Sequence, residues 1–369
     1  MRRTLPAECK TLRNIILNGA FHLWSRKSVF LNAGYPAPSS AANTGQQYGA
    51  DGMLYENGTS GGLRHTIQRV VDTPSILADG ADYETLYCME TVVTTGQASF
   101  NAGEYCGIYP CLEGHWFNLL AFRPFVLSFW VKCSKPGKRY VNLRDGDKAN
   151  SFTVPYTILQ AHKWQKVTVT VPALPPSLYR GDRHSGIGLI LSFPLIAGPG
   201  YTASAFNRWV AEDTVQGADM VQLNAVGDSF CLAQLMIVPG TTVVPFSEVA
   251  PSPYENLEAR TRYWKTYEED VAPGTLTTHG AFIIRDPNGT APVAVTYPLP
   301  FQMRMTPWAT FRNPAAANAL WRNLTDNTDS LAATSVYTRP GAIAFEKGVR
   351  AEDAGDRLAL HCELDADIY

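Results

Sequence analysis

Carboxylates are the first residues in this sequence that could do chemistry, because a glycosidase needs two of them facing each other across a cleft. Asp145 and Asp147 lie in a short polar segment typical of a turn, and Asp365 and Asp367 lie on a predicted terminal strand. Turn preference and solvation account for acids at such positions without a catalytic role. The spacing of the carboxylates therefore gives no support for a catalytic pair.

Other catalytic and metal-binding patterns are equally weak. The seven histidines are isolated, and none forms the H-x-x-x-H pair that places two metal ligands on one helix face. Asp182, His184 and Ser185 are neighbours in one loop, where side chains rarely converge on one reacting atom. Gly58–Gly62 lacks the lysine and the following helix of a phosphate-binding loop. We therefore predict a protein that is not an enzyme and needs no cofactor.

Aromatic residues in segments with weak strand periodicity suggest a different chemistry. The apolar face of a pyranose ring stacks on Trp or Tyr, while neighbouring Asn and Arg side chains bond its hydroxyl groups. Two segments combine these residue types, and the candidate glycan-binding residues in them are Trp116, Asn118, Tyr201, Asn207, Arg208 and Trp209. A second interpretation stays open, since large aromatic residues in β proteins are mostly core or subunit contacts.

The composition favours a β protein that binds no nucleic acid. Charged residues make up 17 % of the 369 residues, below the ~25 % of an ordinary soluble domain. The 29 glycines, 25 prolines and 17 tyrosines suit strands joined by many turns better than charged surface helices. The net charge of −2 is not the positive charge that is typical of proteins that bind nucleic acid.

The sequence predicts neither a signal peptide nor insertion into a membrane. Met1-Arg-Arg is followed by Pro6 and Glu8, and the longest apolar stretches are interrupted by Arg, Pro or Gly. We therefore expect synthesis in a cytoplasm and departure only within an assembly. The seven cysteines are scattered and include no C-x-x-C pair, so we expect neither a structural disulfide nor a metal site.

Alternation of apolar and polar residues is the dominant pattern along the chain. In Val126–Lys132, the apolar residues Leu127, Phe129 and Val131 share one face of a predicted strand, and Tyr140–Arg144 alternates in the same way. Turn residues such as Lys135-Pro-Gly separate these strands. Short strands at this spacing, without amphipathic helical runs, indicate a sandwich or a jelly roll.

One segment departs from this pattern. Residues 253–269 have helical spacing, with acidic residues early and basic residues late. We therefore predict an all-β fold, with a jelly-roll β-sandwich over residues 1–252, a helical connector over 253–271 and a smaller β-sandwich over 272–369. Roughly the first 13 residues are an expected arm, and helix is expected in under about 12 % of the chain, against about a third in average proteins.

The order of several motifs resembles a family of phage tail-fibre and virion-appendage proteins. In that family a first strand ends in Asn-Gly, then come a Trp, an Arg and a strand with Ala-Asp, as in Asn14–Arg26 and Ala50–Tyr55 here. Gly52 and Met53 depart from the Asp-Arg-Trp that is more usual in the family. The further matches in this half are Leu127–Lys132, Lys163-Trp164, Phe246 and Arg262–Tyr267.

The second half carries an independent set of similar motifs. Tyr297–Pro307, Ala319–Asn323 and Leu364–Tyr369 resemble the small C-terminal β domain of the same family. The first domain of that family is similar to carbohydrate-binding modules of the cellulose- and xylan-binding jelly-roll kind. The resemblance implies a sugar-binding fold, and it allows a structural calcium ion, for which the sequence offers no ligand set.

These observations predict a structural protein of a phage or phage-like particle, such as a tail fibre, tail tip or head spike, that contacts polysaccharide on the host cell surface. Its expected partners are other virion proteins and further copies of itself, because closed symmetry multiplies weak sugar contacts. The expected location is the virion. The alternative is a purely structural baseplate, neck or capsid-decoration protein that binds only other virion proteins.

Overall fold

Strands dominate the structure, a computed structural model that describes residues 13–367 except 34–45, 121, 180, 183, 185, 250–252, 269 and 273. Strands account for 43 % of the chain and helices for 6 %. The predicted all-β fold class is confirmed. Residues 1–12 of the predicted N-terminal arm lie outside the described residues.

Contacts between residues divide the chain into two compact units. Unit 1 contains residues 1–24 and 28–252, and unit 2 contains the short segment Ser25–Lys27 together with Pro253–Asp367. Each unit has a hydrophobic core of its own.

The described part of unit 1 is a β-sandwich of antiparallel strands with one short α-helix and two 3₁₀ helices, Pro199–Tyr201 and Phe246–Glu248. In chain order its elements are β1 (Val29–Ala33), β2 (Gln46–Tyr48), β3 (Met53–Asn57), β4 (Arg64–Val70), β5 (Cys88–Thr95), β6 (Tyr105–Glu113), α1 (Gly114–Phe117), β7 (Phe125–Cys133), β8 (Gly137–Asp145), β9 (Ser151–Ile158), β10 (Gln165–Val171), β11 (Ile187–Ala197), β12 (Trp209–Val210) and β13 (Ser229–Pro239). The first sheet has six strands in the order β1-β4-β5-β13-β7-β10, and the second has seven in the order β12-β9-β8-β11-β6-β3-β2.

The core of unit 1 lies between these two sheets, as the alternation in the sequence predicts. Leu127 and Phe129 of β7 are fully buried, and so are Val141 and Leu143 of β8 on the other sheet. The rings of Phe129 and Phe193 meet edge to face with centroids 5.0 Å apart, which ties the first sheet to the second. Each large apolar side chain buried in this way contributes about 1.5–3 kcal/mol.

A buried carboxylate organises the loops near the start of β6. Glu104 is 5 % exposed and accepts five hydrogen bonds, from the amide and hydroxyl of Ser60, the side chain of Gln97, and the amide and side chain of Asn101. Burial alone would raise the pKa of Glu104, but the hydrogen bonds from Ser60 and Asn101 hold that pKa below its ordinary value. The carboxylate therefore ties three loop segments together in its ionised form.

Replacing Glu104 by Gln is expected to destabilise unit 1 by about 2–3 kcal/mol, because an amide NH₂ would face donors that now meet a carboxylate oxygen. Urea denaturation at pH 7 measures this loss. Glu248→Gln, at an exposed acid of the same unit, is the control and should change stability by less than about 0.5 kcal/mol. Equal midpoints for the two variants would show that the Glu104 hydrogen bonds contribute nothing.

Unit 2 begins with a helix and is otherwise one branched antiparallel sheet of eight strands. Its elements are α2 (Pro253–Arg262), β14 (Tyr263–Lys265), β15 (Phe282–Arg285), β16 (Val293–Pro298), β17 (Trp308–Arg312), β18 (Leu320–Asn323), β19 (Thr328–Arg339), β20 (Ala342–Lys347) and β21 (Arg357–Asp365). The main order is β14-β21-β18-β19-β20-β16, and β15 and β17 also pair with β21.

The helix α2 ends at Arg262, earlier than the helical spacing of the sequence suggests. Tyr263–Lys265 instead form β14, in which Trp264 pairs with Leu364 of β21. As a strand, these residues form backbone hydrogen bonds with the edge of the sheet. In one more helical turn, the last carbonyl groups would have no partner within the helix, so the strand is favoured.

Unit 2 also buries a charged cluster. The Lys347 ammonium has no exposed surface and lies 2.6 Å from Asp286 and 3.0 Å from Asp353. Asp353 also accepts hydrogen bonds from Ser330 and Asn323. Burial alone would raise the pKa of Asp286, but its hydrogen bond from Lys347 keeps that pKa below its ordinary value. One cation thus compensates two carboxylates in the interior of the unit.

Candidate functional site

The outer face of the second sheet of unit 1 carries most of the polar and aromatic residues that could meet a ligand. Val141 and Leu143 of β8 point into the core, so Tyr140, Asn142 and Arg144 lie on the opposite face of the same strand. Residues 199–217, which we call the covering segment, cross this face.

Two contacts fix the covering segment across the sheet. Near its start, the Tyr201 ring packs edge-on against Tyr105 of β6, with centroids 5.8 Å apart. Further along, the amide of Asn207 donates to the carbonyl of Thr153 in β9 at 2.9 Å. The segment therefore spans the four adjacent strands from β6 to β9.

A groove of about 450 Å³ lies where the covering segment meets β8 and β9. Its volume is within the range of about 300–1,000 Å³ that is usual for small-ligand sites. The lining residues are Lys138, Tyr140, Pro155, Thr202, Ala203, Phe206, Ala218 and Asp219.

An aromatic pair forms one wall of the groove. Phe206 is 40 % exposed, whereas Tyr140, behind it, is buried. Their centroids are 5.5 Å apart and their ring planes are inclined by 30°. Gly217 makes this approach feasible, because a Cβ atom there would collide with the Tyr140 hydroxyl and lie 3.0 Å from the Phe206 ring. An exposed ring held from behind in this way offers a flat apolar surface.

An ionised acid stands beside the aromatic pair. Asp219 accepts a hydrogen bond from the Lys138 ammonium at 2.7 Å and another from the Tyr140 hydroxyl. These two bonds, that from Lys138 foremost, lower the pKa of Asp219. Burial, and then the bond to Asp219, raise the pKa of Tyr140. The carboxylate is thus charged, held in one orientation and largely exposed, so it can also accept bonds from ligand hydroxyl groups.

Arg144, further along β8, is not free to bind an anion. Its guanidinium group is buried and bonds the Asp213 carboxylate at 3.1 Å and the Ser192 hydroxyl at 3.0 Å. It also lies over the rings of Tyr105 and Tyr109, at 5.7 and 5.6 Å. Arg144 therefore holds the covering segment on the sheet through Asp213.

Four of the six predicted glycan-binding residues lie in the covering segment. Asn207 and Arg208 are exposed, and Asn207 has a left-handed backbone (φ 58°) that asparagine tolerates better than most residues. Tyr201 and Trp209 are half-buried. Trp209 lies on β12, donates to the Pro172 carbonyl at 3.1 Å and packs on the core of unit 1.

The other two predicted residues, Trp116 and Asn118, are at a different place. Trp116 lies in α1, half-buried against the core, with its ring under the Arg13 guanidinium at 4.2 Å. Asn118 is exposed and follows the helix. Strands β8 and β11 lie between β9, which pairs with β12, and β6, which leads into α1. Trp209 on β12 is four strand spacings from β6, about 20 Å at ~4.8 Å per strand. Tyr201 contacts Tyr105 at the start of β6, whereas α1 follows the last residue of that strand, about 25 Å away at ~3.3 Å per residue. The two groups therefore do not form one site.

None of the six predicted glycan-binding residues lines the groove. The prediction did not include the three groove residues that could contact a ligand most directly, Lys138, Phe206 and Asp219. Phe206 lies within the predicted segment, but no local feature distinguishes it from Tyr201 and Trp209. Lys138 and Asp219 carried no local signal, since they are 81 positions apart and only the fold brings them together.

The described residues contain no group of three or more His, Cys, Asp or Glu side chains placed to hold a metal ion. Within the same part of the chain, no helix is long and apolar enough to cross a membrane.

Comparison with known proteins gives likenesses of structure alone. No protein-family model matches the chain, and no curated protein matches it. Similar solved structures include the enzymatically active domain of tailspike protein 4 of bacteriophage CBA120, with 12 % identity, a TM-score of 0.30, and coverage of 51 % of this chain and 19 % of that chain.

Two carbohydrate-binding modules are also similar. TmCBM61 in complex with β-1,4-galactotriose has 11 % identity, a TM-score of 0.30, and coverage of 62 % of this chain and 99 % of that chain. The family 11 module of the cellulosomal cellulase Lic26A-Cel5E of Clostridium thermocellum has 12 % identity, a TM-score of 0.27, and coverage of 60 % and 99 %. At these TM-scores the likenesses decide neither the topology nor the ligand of this chain.

Proposed function

We propose that the chain is a non-catalytic glycan-binding protein whose ligand lies in the groove between the covering segment and β8. The observation that carries this proposal is the exposed Phe206 ring beside an Asp219 carboxylate fixed by Lys138 and Tyr140. A sugar ring presents an apolar face and a rim of hydroxyl groups, and the groove offers a partner for each.

The expected affinity of one groove is low. Stacking on one exposed ring contributes about 1–2 kcal/mol beyond water contact, by analogy with burial of apolar area. Hydrogen bonds to a charged acceptor add about 1.5–3 kcal/mol each when water is excluded, and less in an open groove. One site should therefore bind a short glycan at roughly millimolar strength, and several copies in one assembly would raise the avidity.

We further propose that such an assembly is a phage or phage-like particle, with this chain as a tail fibre, tail tip or head spike that touches host polysaccharide. The ordered motifs from Asn14–Arg26 to Leu364–Tyr369, which resemble virion-appendage proteins, support this assignment. Immunogold labelling of purified particles with an antibody to the chain tests it. Label on an exposed appendage is expected, and label confined to a neck or shell would favour the purely structural alternative.

Binding of the full chain to an array of neutral and acidic oligosaccharides tests the groove. We expect Phe206→Ala to weaken binding of the retained glycans roughly tenfold, since 1.4 kcal/mol corresponds to a factor of ten. Asp219→Asn should weaken the same glycans, because the amide nitrogen cannot accept the hydroxyl bonds that the carboxylate accepts. Leu77→Ala is the matched control, because Leu77 is 96 % exposed in the same unit and outside the groove.

Thermal unfolding of each variant separates binding from folding. Phe206→Ala and Asp219→Asn should melt within a few degrees of the unaltered chain, because Phe206 is 40 % exposed and the Asp219 side chain 57 % exposed, and neither belongs to the hydrophobic core. Loss of glycan binding with unchanged melting supports the groove. An array on which no glycan is retained, or glycans that bind equally to Phe206→Ala and Leu77→Ala, would refute it.

A further inference from the structure

The buried cluster of unit 2 holds an amine against two carboxyl groups. The side chains of Lys347 and Asp286 have no exposed surface, and that of Asp353 is 1 % exposed. Among the described residues, Lys347 is the single lysine that is buried. An amine and a carboxyl group that meet where water is excluded can condense to an amide, because their separation is fixed and no water is present to reverse the reaction.

The two groups come from strands that are not neighbours in the sheet. Asp286 directly follows β15, which pairs with β21, and Lys347 is the last residue of β20, which pairs with β16 and β19. No backbone ladder joins β15 to β20 in the described part of unit 2. A side-chain contact between residues 61 positions apart therefore links these two strands.

The Lys347 nitrogen lies close to the carbon atom that it would attack. Nζ is 2.6 Å from Oδ2 of Asp286, and a carbon–oxygen bond is about 1.2 Å long, so Nζ is no more than about 3.9 Å from Cγ. Atoms that are ready to react are ~3–3.5 Å apart. At most a small rotation within the Lys347 side chain is therefore needed.

Two backbone amides are placed to stabilise the transition state. The amides of Gly289 and Asn288 donate to Oδ1 of Asp286 at 2.7 and 3.2 Å. When a nitrogen adds to Cγ, negative charge develops on Oδ1, and donors that already point at this atom stabilise the charge. Gly289 has a left-handed backbone (φ 65°), and a Cβ atom there would lie 2.8 Å from Cα of Ala351, so this turn requires glycine.

Asp353 is placed to act as the base. Its Oδ2 lies 3.0 Å from Nζ of Lys347, and its side chain is oriented by hydrogen bonds from Ser330 and Asn323. Burial alone would raise the pKa of Asp353, but the bonds from Ser330 and Lys347 lower that pKa, so the group is ionised. A carboxylate in contact with the nitrogen can accept the proton that the nitrogen loses when it adds to Cγ.

We propose that Lys347 and Asp286 condense to an intramolecular amide bond, with Asp353 as the catalytic base. Lys347 first passes one proton to Oδ2 of Asp286 across their direct contact. The neutral amine then adds to Cγ, and Asp353 takes a proton from the nitrogen and returns it to the Oδ2 hydroxyl. The Cγ–Oδ2 bond breaks and one water molecule leaves. The three ammonium protons end as one amide N–H and the two protons of water, so the step needs no oxidant and no further reactant.

The ion pair is the form of the newly folded chain, and the bond forms afterwards. The neutral pair contains the same number of protons as the ion pair, so no net uptake of protons is required. Burial favours the neutral pair, whereas the hydrogen bond from Lys347 favours ionised Asp286 and lowers its pKa. The neutral pair is therefore a minor form, and we expect the reaction to take hours to days. Until then, the stability of unit 2 is that of the ion pair.

Intact-mass spectrometry of the full chain tests the bond. The chain is purified rapidly and kept at pH 7 and physiological temperature, and its mass is followed for a week. We expect most chains to lose the mass of one water molecule in that time. Trypsin does not cleave after an acylated lysine, so tandem spectrometry should find a branched peptide that joins residues 286–304 to residues 323–350.

Variants assign the bond to the buried cluster. Asp286→Ala removes the carboxyl group that is attacked and leaves Lys347 paired with Asp353, so this chain should keep its full mass. Asp353→Asn leaves Lys347 paired with Asp286 but removes the base, so water loss should be at least about tenfold slower. Glu352→Gln is the matched control and should react like the unaltered chain, because Glu352 is next to Asp353 and its side chain is 74 % exposed.

The bond should also stabilise unit 2. A cross-link between residues 61 positions apart restricts the unfolded chain, whereas an ion pair is lost on unfolding. The chain kept for a week should therefore have a higher urea midpoint than newly purified chain, and Asp353→Asn should show a smaller increase. An unchanged midpoint in a chain that contains the branched peptide would contradict this expectation.

Three outcomes would overturn the proposal. An unaltered chain that is folded by circular dichroism and still has its full mass after a week would show that the cluster is an ion pair only. Water loss that persists in Asp286→Ala would place the dehydration elsewhere, for example at Asp79-Gly80. Equal rates in Asp353→Asn and Glu352→Gln would show that Asp353 is not the base. If a variant does not fold, the branched peptide of the unaltered chain decides alone. The bond needs no ligand, so its absence and a failure of the groove in unit 1 are separate results.

Discussion

Replacing Lys347 by Met is expected to destabilise unit 2 by about 3–5 kcal/mol, because it leaves the buried carboxylates of Asp286 and Asp353 without their cation. Methionine has a similar length and is apolar, so loss of packing contributes little to the change. A loss of this size is a large part of the 5–15 kcal/mol by which a typical protein is stable. Urea denaturation at pH 7, followed by hydrogen exchange in β20 and β21, measures it within unit 2.

A matched control in the same unit is Glu352→Gln. Glu352 forms an ion pair with Arg350 at 3.4 Å, but its side chain is 74 % exposed, so the pair is expected to contribute no more than about 1 kcal/mol. Adding Asp286→Asn to Lys347→Met should recover part of the lost stability, since one of the uncompensated charges is then removed. A Lys347→Met variant as stable as Glu352→Gln would show that the buried cluster is not ionised as described.

Acidification is expected to destabilise unit 1 well above the range in which its carboxylates titrate. His65 on β4 is 1 % exposed, and its Nδ1 is hydrogen-bonded to the Tyr55 hydroxyl at 2.7 Å. Its Nε2 is buried and has no hydrogen-bond partner among the described residues. Burial lowers the pKa of His65 to about 3. Between about pH 6.5 and pH 3 the folded unit therefore holds a neutral imidazole, whereas an unfolded chain would protonate it.

The direction of the effect follows from proton binding. The unfolded chain takes up a proton near pH 6.5 and the folded unit does not, so the stabilising contribution of neutral His65 is complete above pH 6.5 and is lost as the pH falls toward 3. The free energy of unfolding should fall by about 1.4 kcal/mol per pH unit in this window. Glu104, whose pKa is lowered by its hydrogen bonds, adds a further loss only below its ordinary value of 4.5.

Urea denaturation between pH 7 and pH 5 tests this expectation, with hydrogen exchange in β4 to report on unit 1. His65→Gln should lose part of its stability at pH 7, because the Tyr55 bond is disturbed, and should show a clearly smaller pH dependence. Burial also lowers the pKa of His22, so a residual slope is expected. His162→Asn, at an exposed histidine with a left-handed backbone, should keep the slope of the unaltered chain. A slope that His65→Gln leaves intact would contradict the assignment.

The proposed groove shows where reasoning from sequence reaches its limit. The aromatic residues from Tyr201 to Trp209 predicted a binding segment, and the groove lies beside this segment, but neither Tyr201 nor Trp209 lines it. Which of the aromatic rings in this stretch is exposed depends on tertiary packing, which the local sequence pattern does not predict. Trp209 packs on Phe152 of the core, with centroids 5.4 Å apart, and Tyr201 packs on Tyr105, and both are half-buried. Phe206 packs on Tyr140 but remains 40 % exposed.

The sequence by itself determined the class of fold and the two faces of its strands. Strand side chains alternate strictly, so Leu127 and Phe129, or Val141 and Leu143, had to enter the core together once β7 and β8 formed. The low charge content and the many turn residues indicated that few residues would form helices. These properties are local, because each depends on residues a few positions apart.

Only the tertiary structure decided which polar residues meet. Asp219 reaches Tyr140 across 79 positions, and Lys347 reaches Asp286 across 61, because the register of the sheets and the course of the loops place them together. Lys347 shares the inward face of β20 with Ile343 and Phe345, a position that alternation alone predicts for an apolar residue. A lysine is stable there because two distant carboxylates compensate its charge, and that compensation exists only in the folded chain.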